Sequence, residues 1–441
     1  MIDGASILMI VWTIILVVGA ALVVRAKRGL EETTKILNVM ALVLVLISVF
    51  NIAVYEVRAG IARQAEDTIE PIETPEASSP VVEALPNIYY IILDGYARAD
   101  ILQELYHYDN AEFLDFLEQK GFFIADKSRA NYAHTVLSLA SSLNLQYLDE
   151  QAVRIGLDSK DRQPFGELIR DSVVLRFLKD RGYTIVSFPT GYSPTDLQDA
   201  DIYLGSGQSL NELEIGLLVS TPIPWLLIKQ SDFNPYAPRA HSIRYTLDHL
   251  PDTVELPSPH FVFAHVLGPH PPFVFDQQGN QIVPEGEFNL GEGSHFLETN
   301  TRDQYLTGYT NQLIFVNERV KAVLNDLLAR SGRPAVVILQ ADHGPGSRLD
   351  WDNPENTYFK ERLSILNAYL LPGQEAAGLY GEITPVNTFR LIFNRYFGTE
   401  LELLEDRSYF STWNQPYKFI DVTEEVGDGS SKDILSPFAE S

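Results

Sequence analysis

The chain has 441 residues, no cysteine and a formal net charge of −26. Without cysteine it has no disulfides, no thiol catalysis and no cysteine-ligated metal site. The negative charge argues against a nucleic-acid partner, whose phosphates require a basic surface. With 45% hydrophobic residues and a mean hydropathy of −0.04, the chain is neither disordered nor wholly embedded in a membrane, which favours one large domain with attachments.

Two uncharged apolar runs, residues 5–24 and 36–55, lie at the amino-terminal end. Each has about 20 residues and could cross the hydrocarbon layer as a helix. The alternative for the first run, a cleaved signal peptide, normally has positive charge ahead of it, and here there is none. The short loop between the runs is basic and should stay in the cytoplasm. The sequence therefore predicts a two-helix transmembrane hairpin over residues 1–60, with everything after Tyr55 outside the cytoplasm.

The next segment, residues 61–86, is rich in proline and glutamate. It shows no helical periodicity and reads as an extended, charged tether. Residues 87–441 are then left as a separate extracytoplasmic domain attached to the cell membrane.

From residue 87 onward, short apolar strands alternate with amphipathic helices. Apolar runs typical of strands lie at 87–93, 183–188, 260–266 and 335–341, with a further apolar run at 363–371. Helical spacing is found at 112–120, 173–181, 303–330 and 386–397. This alternation predicts an α/β fold with a mostly parallel sheet covered on both faces. Residues 204–250 contain several prolines, are predicted to be irregular, and are a candidate cap over the site.

Metal-type ligands follow two of these strands. Asp94 comes after the run 87–93, and Asp342 with His343 comes after the run 335–341. Alone, Asp94 could mark an ordinary turn and Asp342 could cap the next element. Together they belong at the carboxyl edge of one sheet, where ligands bind in open α/β folds. Two carboxylates and an imidazole suit a divalent ion such as Zn or Mn.

Thr135 stands just before a predicted helix, whose apolar face includes Val136, Leu139 and Leu143. The free N–H groups at a helix start stabilise an anion, and a hydroxyl there that also meets a metal can act as a nucleophile. The alternative is that Thr135 only caps the helix. The rival hydroxyl of Ser138 is expected to bond to the main chain, and His134 is expected to contact solvent.

His265, near the end of the run 260–266, and His270, just after it, lie on either side of a Gly-Pro pair. His270 could bind the oxygens of a transferred group or protonate a leaving group. The alternative is that both rings are satisfied within a packed loop.

The order and spacing of these residues resemble the sulfatase-like branch of the alkaline phosphatase superfamily over nearly all of residues 86–403. Lipoteichoic acid synthases and phosphoethanolamine transferases are similar in architecture, with amino-terminal membrane helices and an external catalytic domain. The resemblance implies an α/β/α sandwich in which Asp94, Thr135, Asp342 and His343 hold one divalent ion and Thr135 is the nucleophile. It matches His270 to a substrate-contacting histidine, gives His265 a looser counterpart, and leaves a second ion open.

Two features depart from the family pattern. Sulfatases carry a Cys/Ser-x-Pro-x-Arg signature that is converted to formylglycine, whereas residues 134–138 here are His-Thr-Val-Leu-Ser. The similar transferases have more membrane helices, or a glutamate where Asp94 stands. These departures disfavour sulfate-ester hydrolysis by the formylglycine route and leave the substrate open.

Three functions compete on this basis. The leading hypothesis is a membrane-anchored transferase that moves a phospho-group from a lipid-linked or envelope phosphodiester through a phospho-threonine. The second is a phosphodiesterase or sulfuric-ester hydrolase of the same superfamily. The third is a non-catalytic envelope-binding protein. The expected partners are the lipid bilayer and a membrane-lipid or envelope-glycan substrate, without nucleic acid.

Overall fold

The computed structural model describes residues 85–205, 212–219, 234–285, 288–373 and 378–427, with residues 73–76 and single positions before residue 50. The predicted hairpin and most of the predicted linker therefore lie outside the described residues. Among the residues that are described, no helix is both long enough and apolar enough to cross a bilayer. The elements named below belong to one compact unit, formed by residues 72–220 and 228–441.

In the described part of the chain, the main sheet has seven strands. They are β1 (Asn87–Leu93), β2 (Phe123–Ile124), β3 (Thr184–Ser187), β4 (Ile202–Tyr203), β5 (His260–Val266), β6 (Ala335–Gln340) and β7 (Asn367–Leu370). Their order across the sheet is β2-β7-β6-β1-β5-β3-β4. β6, β1, β5, β3 and β4 run parallel, and β7 is antiparallel to both β6 and β2. The mostly parallel sheet is confirmed. Two further strands, β8 (Tyr409–Phe410) and β9 (Ile420–Asp421), pair separately.

The described helices alternate with these strands. They are α1 (Ala99–Leu105), α2 (Ala111–Gln119), α3 (Thr135–Asn144), α4 (Asp149–Ile155), α5 (Gln163–Arg170), α6 (Val173–Lys179), α7 (Glu212–Val219), α8 (Ala237–His249), α9 (Ser294–Leu297), α10 (Arg302–Arg330), α11 (Phe359–Leu363), α12 (Pro385–Phe397) and α13 (Thr423–Val426). Short 3-10 turns cover Ser193–Thr195, Leu250–Glu255 and Pro354–Asn356.

Both faces of the sheet are buried, and β1 shows why. Successive side chains of a strand point to opposite faces, so Tyr89 and Ile91 enter one core while Tyr90 and Ile92 enter the other. Helices α1, α2, α8 and α10 cover the first face, and α3, α5, α6 and α12 cover the second. A strand buried on both faces reads as the continuous apolar run seen in the sequence. The layers form the α/β/α sandwich that the family resemblance implies.

The long helix α10 begins where the sequence supplies a complete cap. The Thr301 hydroxyl accepts from the Gln304 N–H at 3.2 Å, and the Gln304 side chain accepts from the Thr301 N–H at 2.7 Å. This reciprocal capping satisfies two N–H groups that have no partner within the helix. It fixes the start of the predicted helix one residue before its expected position.

Residues 204–250 are more regular than predicted. They contain α7 and the thirteen-residue helix α8, so the expectation of irregular structure was wrong for these segments. Pro238 falls in the first turn of α8, where a missing N–H costs nothing and the fixed φ suits a helix. Pro238 is therefore compatible with the start of α8, although the prolines of this region predicted irregular structure.

Candidate active site

Three adjacent parallel strands, β5, β1 and β6, end at the same edge of the sheet. Asp94 follows β1, Asp342 and His343 follow β6, and His265 lies near the end of β5. The backbone joins two of these loops, because the Asp94 N–H donates to the Val266 carbonyl at 3.0 Å. Neighbouring strand ends therefore bring residues that are far apart in the chain into one cluster.

We call Asp94, His265, Asp342 and His343 the carboxylate centre. His343 Nε2 lies 3.5 Å from Asp94 Oδ1 and 3.3 Å from Asp342 Oδ2. His265 Nε2 lies 3.4 Å from Asp94 Oδ2. All four residues are buried. The sheet edge thus holds two carboxylates and two imidazoles within reach of one another.

Gly95 connects the two carboxylates. Its φ of 73° lies in the left-handed region that favours glycine, and its N–H donates to Asp342 Oδ1 at 3.2 Å. A side chain at this position would meet His270, whose Cβ would lie 3.5 Å from the added carbon. The Asp94-Gly95 pair is therefore a strand-end turn, and the same turn orients Asp342.

Several polar atoms of the carboxylate centre lack hydrogen-bond partners. Among the described residues, Asp94 Oδ1, Asp342 Oδ2 and His265 Nε2 are buried without one. Burying unpaired carboxylate oxygens is unfavourable, and a cation among them would remove that penalty. His343 also fits a cation, because its Nδ1 lies 2.9 Å from the Gly344 carbonyl. A proton on Nδ1 leaves the Nε2 lone pair free, and burial lowers the pKa of His343, which favours the neutral ring.

Thr135 is the first residue of α3, and His134 occupies the N-cap position. The Thr135 hydroxyl is therefore not the cap of this helix. Its Oγ1 lies 3.0 Å from His343 Nε2, and the residue is partly exposed on a cavity of about 320 Å³. The positive end of α3 and the carboxylate centre meet at this hydroxyl.

Ser138 is buried and bonds to the main chain, as expected. Its partner is unexpected, because Ser138 Oγ donates to the Asp342 carbonyl at 2.7 Å and not to a carbonyl of its own helix. Ser138 therefore ties α3 to the loop after β6 and does not compete with Thr135 for the cavity.

His134 does not contact solvent, and that expectation was wrong. Its side chain is buried, its ring stacks on Trp351 with centroids 4.3 Å apart, and its Nε2 lies 2.9 Å from the Ser411 carbonyl. The loops that contain Trp351 and Ser411 fold over the start of α3, which no local pattern around His134 indicates. Burial lowers the pKa of His134 well below its ordinary value.

His270 faces the cavity and is held by acceptors on both sides. Its Nε2 lies 3.0 Å from Glu292 Oε2, and its Nδ1 contacts the Pro271 carbonyl. Although burial disfavours the charged ring, Glu292 and Asp94 raise the pKa of His270 to about 9. His270 therefore contributes positive charge to the cavity.

Sequence reasoning missed Glu292 and Arg362, which form a buried ion pair of 2.7 Å. Burial opposes ionisation of Glu292, but Arg362 and His270 outweigh it and lower the pKa of the carboxyl. Arg362 also donates to the Ala133 and Gly344 carbonyls, each at 2.9 Å. The arginine thus joins the loop before Thr135 to the loop after His343. Glu292 lies in a loop and Arg362 in the five-residue helix α11, and neither belongs to a sequence motif that would have revealed it.

The other side of the cavity comes from loops, apart from Arg362 in the short helix α11. Its members, which we call the loop wall, are His134, Arg162, Glu292, Trp351, Arg362 and Trp413. Arg162 stacks on Trp413, with its guanidinium carbon 4.2 Å from the ring centre. Arg239, from α8, also lines the cavity and donates to the Pro271 carbonyl at 2.8 Å. The region suggested as a cap therefore contributes a side chain to the site.

His265 is the one predicted substrate contact that lies away from this cavity. Its side chain is fully buried, with Nδ1 at 2.9 Å from Thr195 Oγ1 and Nε2 towards Asp94. In the structure it supports the carboxylate centre from behind.

A sequence model of the family described as Sulfatase matches residues 86–375, more than half of the chain. The chain belongs to the sulfatase family. It is accordingly an enzyme of the alkaline phosphatase superfamily, which decides against the non-catalytic alternative. No curated protein matches the sequence.

Solved structures share the fold at low sequence identity. The C-terminal periplasmic domain of EcEptC from Escherichia coli is 13% identical, with a TM-score of 0.50, and the match covers 80% of this chain and 96% of that one. The same domain in complex with Zn is 12% identical, with the same TM-score and coverage. Lipooligosaccharide phosphoethanolamine transferase A from Neisseria meningitidis is 11% identical, with a TM-score of 0.45 and coverage of 77% and 61%. At such identities the likeness concerns the fold alone.

Proposed function

We propose that this sulfatase-family enzyme is a metal-dependent transferase that moves a phospho-group through a covalent intermediate on Thr135. The observation that carries the proposal is the position of the Thr135 hydroxyl. It stands at the start of α3, 3.0 Å from His343 Nε2, and that nitrogen lies within 3.5 Å of both Asp94 and Asp342. A hydroxyl beside such a centre, and open to a cavity, is suited to attack on phosphorus.

Asp94, Thr135, Asp342 and His343 would hold the divalent ion. Oxygen and imidazole ligands suit Zn or Mn, and the E. coli relative has been solved with Zn. When bound, such an ion neutralises negative charge on a phosphoryl group and favours the deprotonated form of a nearby hydroxyl. Asp94 belongs to two groups of convergent ligand atoms, one with His270 and His343 and one with His265 and Asp342, so a second ion remains part of the proposal.

The chain's own residues would work in two steps. Thr135 Oγ1 forms a bond to phosphorus as the bond from phosphorus to the departing alcohol breaks, and the proton that Thr135 loses is balanced by the one the alcohol gains. An acceptor hydroxyl then attacks the phospho-threonine, gives up its proton and frees Thr135. His270 and the N–H groups at the start of α3 face the negative charge that develops on the phosphoryl oxygens.

Replacement of Thr135 tests the covalent step. Using bis(p-nitrophenyl) phosphate as the probe, we expect Thr135→Ala to lose turnover and to form no protein adduct by intact mass spectrometry. Thr135→Ser keeps the hydroxyl and should retain both the adduct and part of the turnover. Undiminished turnover in Thr135→Ala, with the ion still bound, would refute the assignment.

Transferase and hydrolase share every residue named so far and differ in what resolves the intermediate. Glycerol added to the bis(p-nitrophenyl) phosphate reaction should divert product into a glycerol phosphodiester if alcohols are accepted. Water as the sole productive acceptor would make the enzyme a phosphodiesterase. Turnover of p-nitrophenyl sulfate in place of the phosphodiester would indicate the sulfuric-ester hydrolase.

The proposed setting is the outer face of the cell membrane, with residues 5–24 and 36–55 as the anchor and a lipid-linked or envelope glycan as the substrate. The absence of cysteine makes the topology easy to test. Asp115 is exposed on α2, so Asp115→Cys would give the protein a single reactive thiol. A membrane-impermeant maleimide should label this variant in intact cells, whereas labelling only after lysis would contradict the extracytoplasmic assignment.

A further inference from the structure

Arg162 lies on the Trp413 side of the cavity and has no acidic partner among the residues that the structure describes. It lies between α4 and α5 and is partly buried. Among the described residues, its guanidinium makes one hydrogen bond, to the Trp413 carbonyl, and its buried Nε has no acceptor. An arginine has five N–H donors in a planar fork that matches an oxyanion. Most of the donor capacity of Arg162 is therefore available to a ligand.

The position of Arg162 separates it from the group that would be transferred. Its guanidinium lies against the Trp413 ring, that ring is 5.9 Å from the His134 ring, and His134 directly precedes Thr135. Arg162 and Thr135 line the same cavity, and successive contacts lead from Arg162 to the Trp413 ring and from that ring to the residue before Thr135. A group bound at Arg162 is thus a different part of the substrate from the one at Thr135.

The surroundings of Arg162 also point to an extended, polar substrate. The Trp413 side chain is 42% exposed, which leaves an aromatic surface open for a sugar ring or similar group to stack on. A second cavity, of about 430 Å³, is lined by Asp352 and Asn414, the direct neighbours of Trp351 and Trp413. A second cavity therefore lies beside the loop wall.

The charges favour an anion over a cation at this end. Among the described residues that line the first cavity, the carboxylates are Asp94 and Glu292. Asp94 belongs to the carboxylate centre, and Glu292 is already paired with His270 and Arg362. The carboxylates of the second cavity are also engaged, because Asp158 pairs with Lys418 and Asp352 accepts a hydrogen bond from Asn414. A distal ammonium group would therefore meet Arg162 without a free carboxylate in the first cavity, whereas an oxyanion would find a matching donor.

We propose that Arg162 and Trp413 form a second substrate subsite that binds an oxyanion carried on a sugar-like group, while the transferred phospho-group lies at Thr135. This inference rests on the proposed function and names its substrate class: a glycan or glycosylated lipid with a second negative group, either phosphate, sulfate or carboxylate.

The test compares two probes by calorimetry on the purified full-length chain loaded with Mn²⁺. Glucose 6-phosphate carries one phosphate, and glucose 1,6-bisphosphate carries two on the same sugar. The wild-type chain should bind the bisphosphate about tenfold more tightly, as expected for one additional charge-assisted contact. Arg162→Gln should abolish that preference, and Arg162→Lys, which keeps the charge without the planar fork, should retain part of it.

A control removes the same charge elsewhere. Arg154 lies on α4 and pairs with Glu150 at 3.9 Å on the surface, so Arg154→Gln should keep the full preference. Thermal unfolding of Arg162→Gln checks that the variant is folded. A preference that survives in folded Arg162→Gln, or that disappears equally in Arg154→Gln, would overturn the subsite.

The outcome is separable from that of the covalent mechanism. Thr135→Ala should keep the preference for the bisphosphate, because the subsite does not use the nucleophile. A chain without Thr135-dependent turnover that still loses its preference in Arg162→Gln would refute the proposed function and support the subsite. Thr135-dependent turnover without any preference in the wild type would do the reverse.

Discussion

Asp94 and His343 of the carboxylate centre face the same cavity as the loop wall, but the two groups are built in different ways. The carboxylate centre comes from the ends of three adjacent strands, and several of its buried atoms have no hydrogen-bond partner within the described ranges of the chain. In the loop wall, Glu292 joins two cationic side chains at 2.7 and 3.0 Å. One region leaves buried polar atoms unpaired among the described residues, whereas the other pairs its buried carboxylate with two cations.

This difference indicates two roles for the residues near the cavity: binding of an ion and positioning of neighbouring side chains. Unpaired carboxylates at a sheet edge suit the proposed ion and lower the stability of the ion-free protein. The paired charges of the loop wall hold their neighbours in position. They are not proposed to be ligands of the ion. Neutralising a carboxylate should therefore have opposite effects on ion-free stability in the two regions.

The largest expected effect is on ion binding. Asp342→Asn removes a charge from the carboxylate centre, and we expect the affinity for Zn or Mn to fall by more than about a hundredfold, the upper figure for changes outside the first ligand shell. Because Asp342 and Asp94 then no longer repel each other, the ion-free variant should unfold at the same temperature as the wild type or higher. Metal analysis and thermal unfolding in a chelator measure both.

Asp115→Asn, at an exposed position on α2, is the matched control and should leave ion affinity unchanged. Full ion binding by Asp342→Asn would contradict the ligand assignment. A marked loss of ion-free stability in that variant would show that Asp342 is a structural partner, as Glu292 is.

The second effect is on stability. Glu292→Gln leaves the buried cations Arg362 and His270 without their carboxylate, and breaking a buried pair in this way typically costs about 3–5 kcal/mol. We expect urea unfolding to show a loss of that order, with or without the ion. Glu355→Gln, in an exposed turn, removes the same charge and should change the free energy of unfolding little. If Glu292→Gln were as stable as wild type, the distinction between the two regions would fail.

The smallest expected effect is a loss of stability when a side chain is added at Gly344, where the loop after β6 packs closely against α11. A Cβ on Gly344 would lie 2.2 Å from the Glu361 carbonyl oxygen, and such overpacking typically costs about 1–3 kcal/mol. Gly344→Ala should therefore lower the unfolding temperature and displace His343, reducing turnover of bis(p-nitrophenyl) phosphate. Gly332 has nothing within 4 Å of an added Cβ, and Gly332→Ala should be neutral. Equal stability of the two variants would mean that the loop relaxes freely.

Local pattern was sufficient for most of the fold. β5 has the bounds of its apolar run, and the helices α6, α10 and α12 lie within two residues of their predicted positions. The prediction was poorer at the run 363–371, where α11 ends at Leu363 and β7 begins only at Asn367. A continuous apolar run cannot distinguish a buried helix end from a buried strand, because both are surrounded by core on all sides.

The sequence by itself determined the sheet, its parallel direction and the edge where Asp94, Asp342 and His343 meet, because strand periodicity and the order of elements fix where strand ends lie. Only the tertiary structure decided the loop wall. Glu292, Trp413 and Arg162 come from loops, and Arg362 comes from the five-residue helix α11. Their partners lie as much as 251 residues away, as for Arg162 and Trp413. Contacts between residues so far apart in the chain form only after the helices and the sheet have packed together. A local sequence pattern carries no information about those contacts.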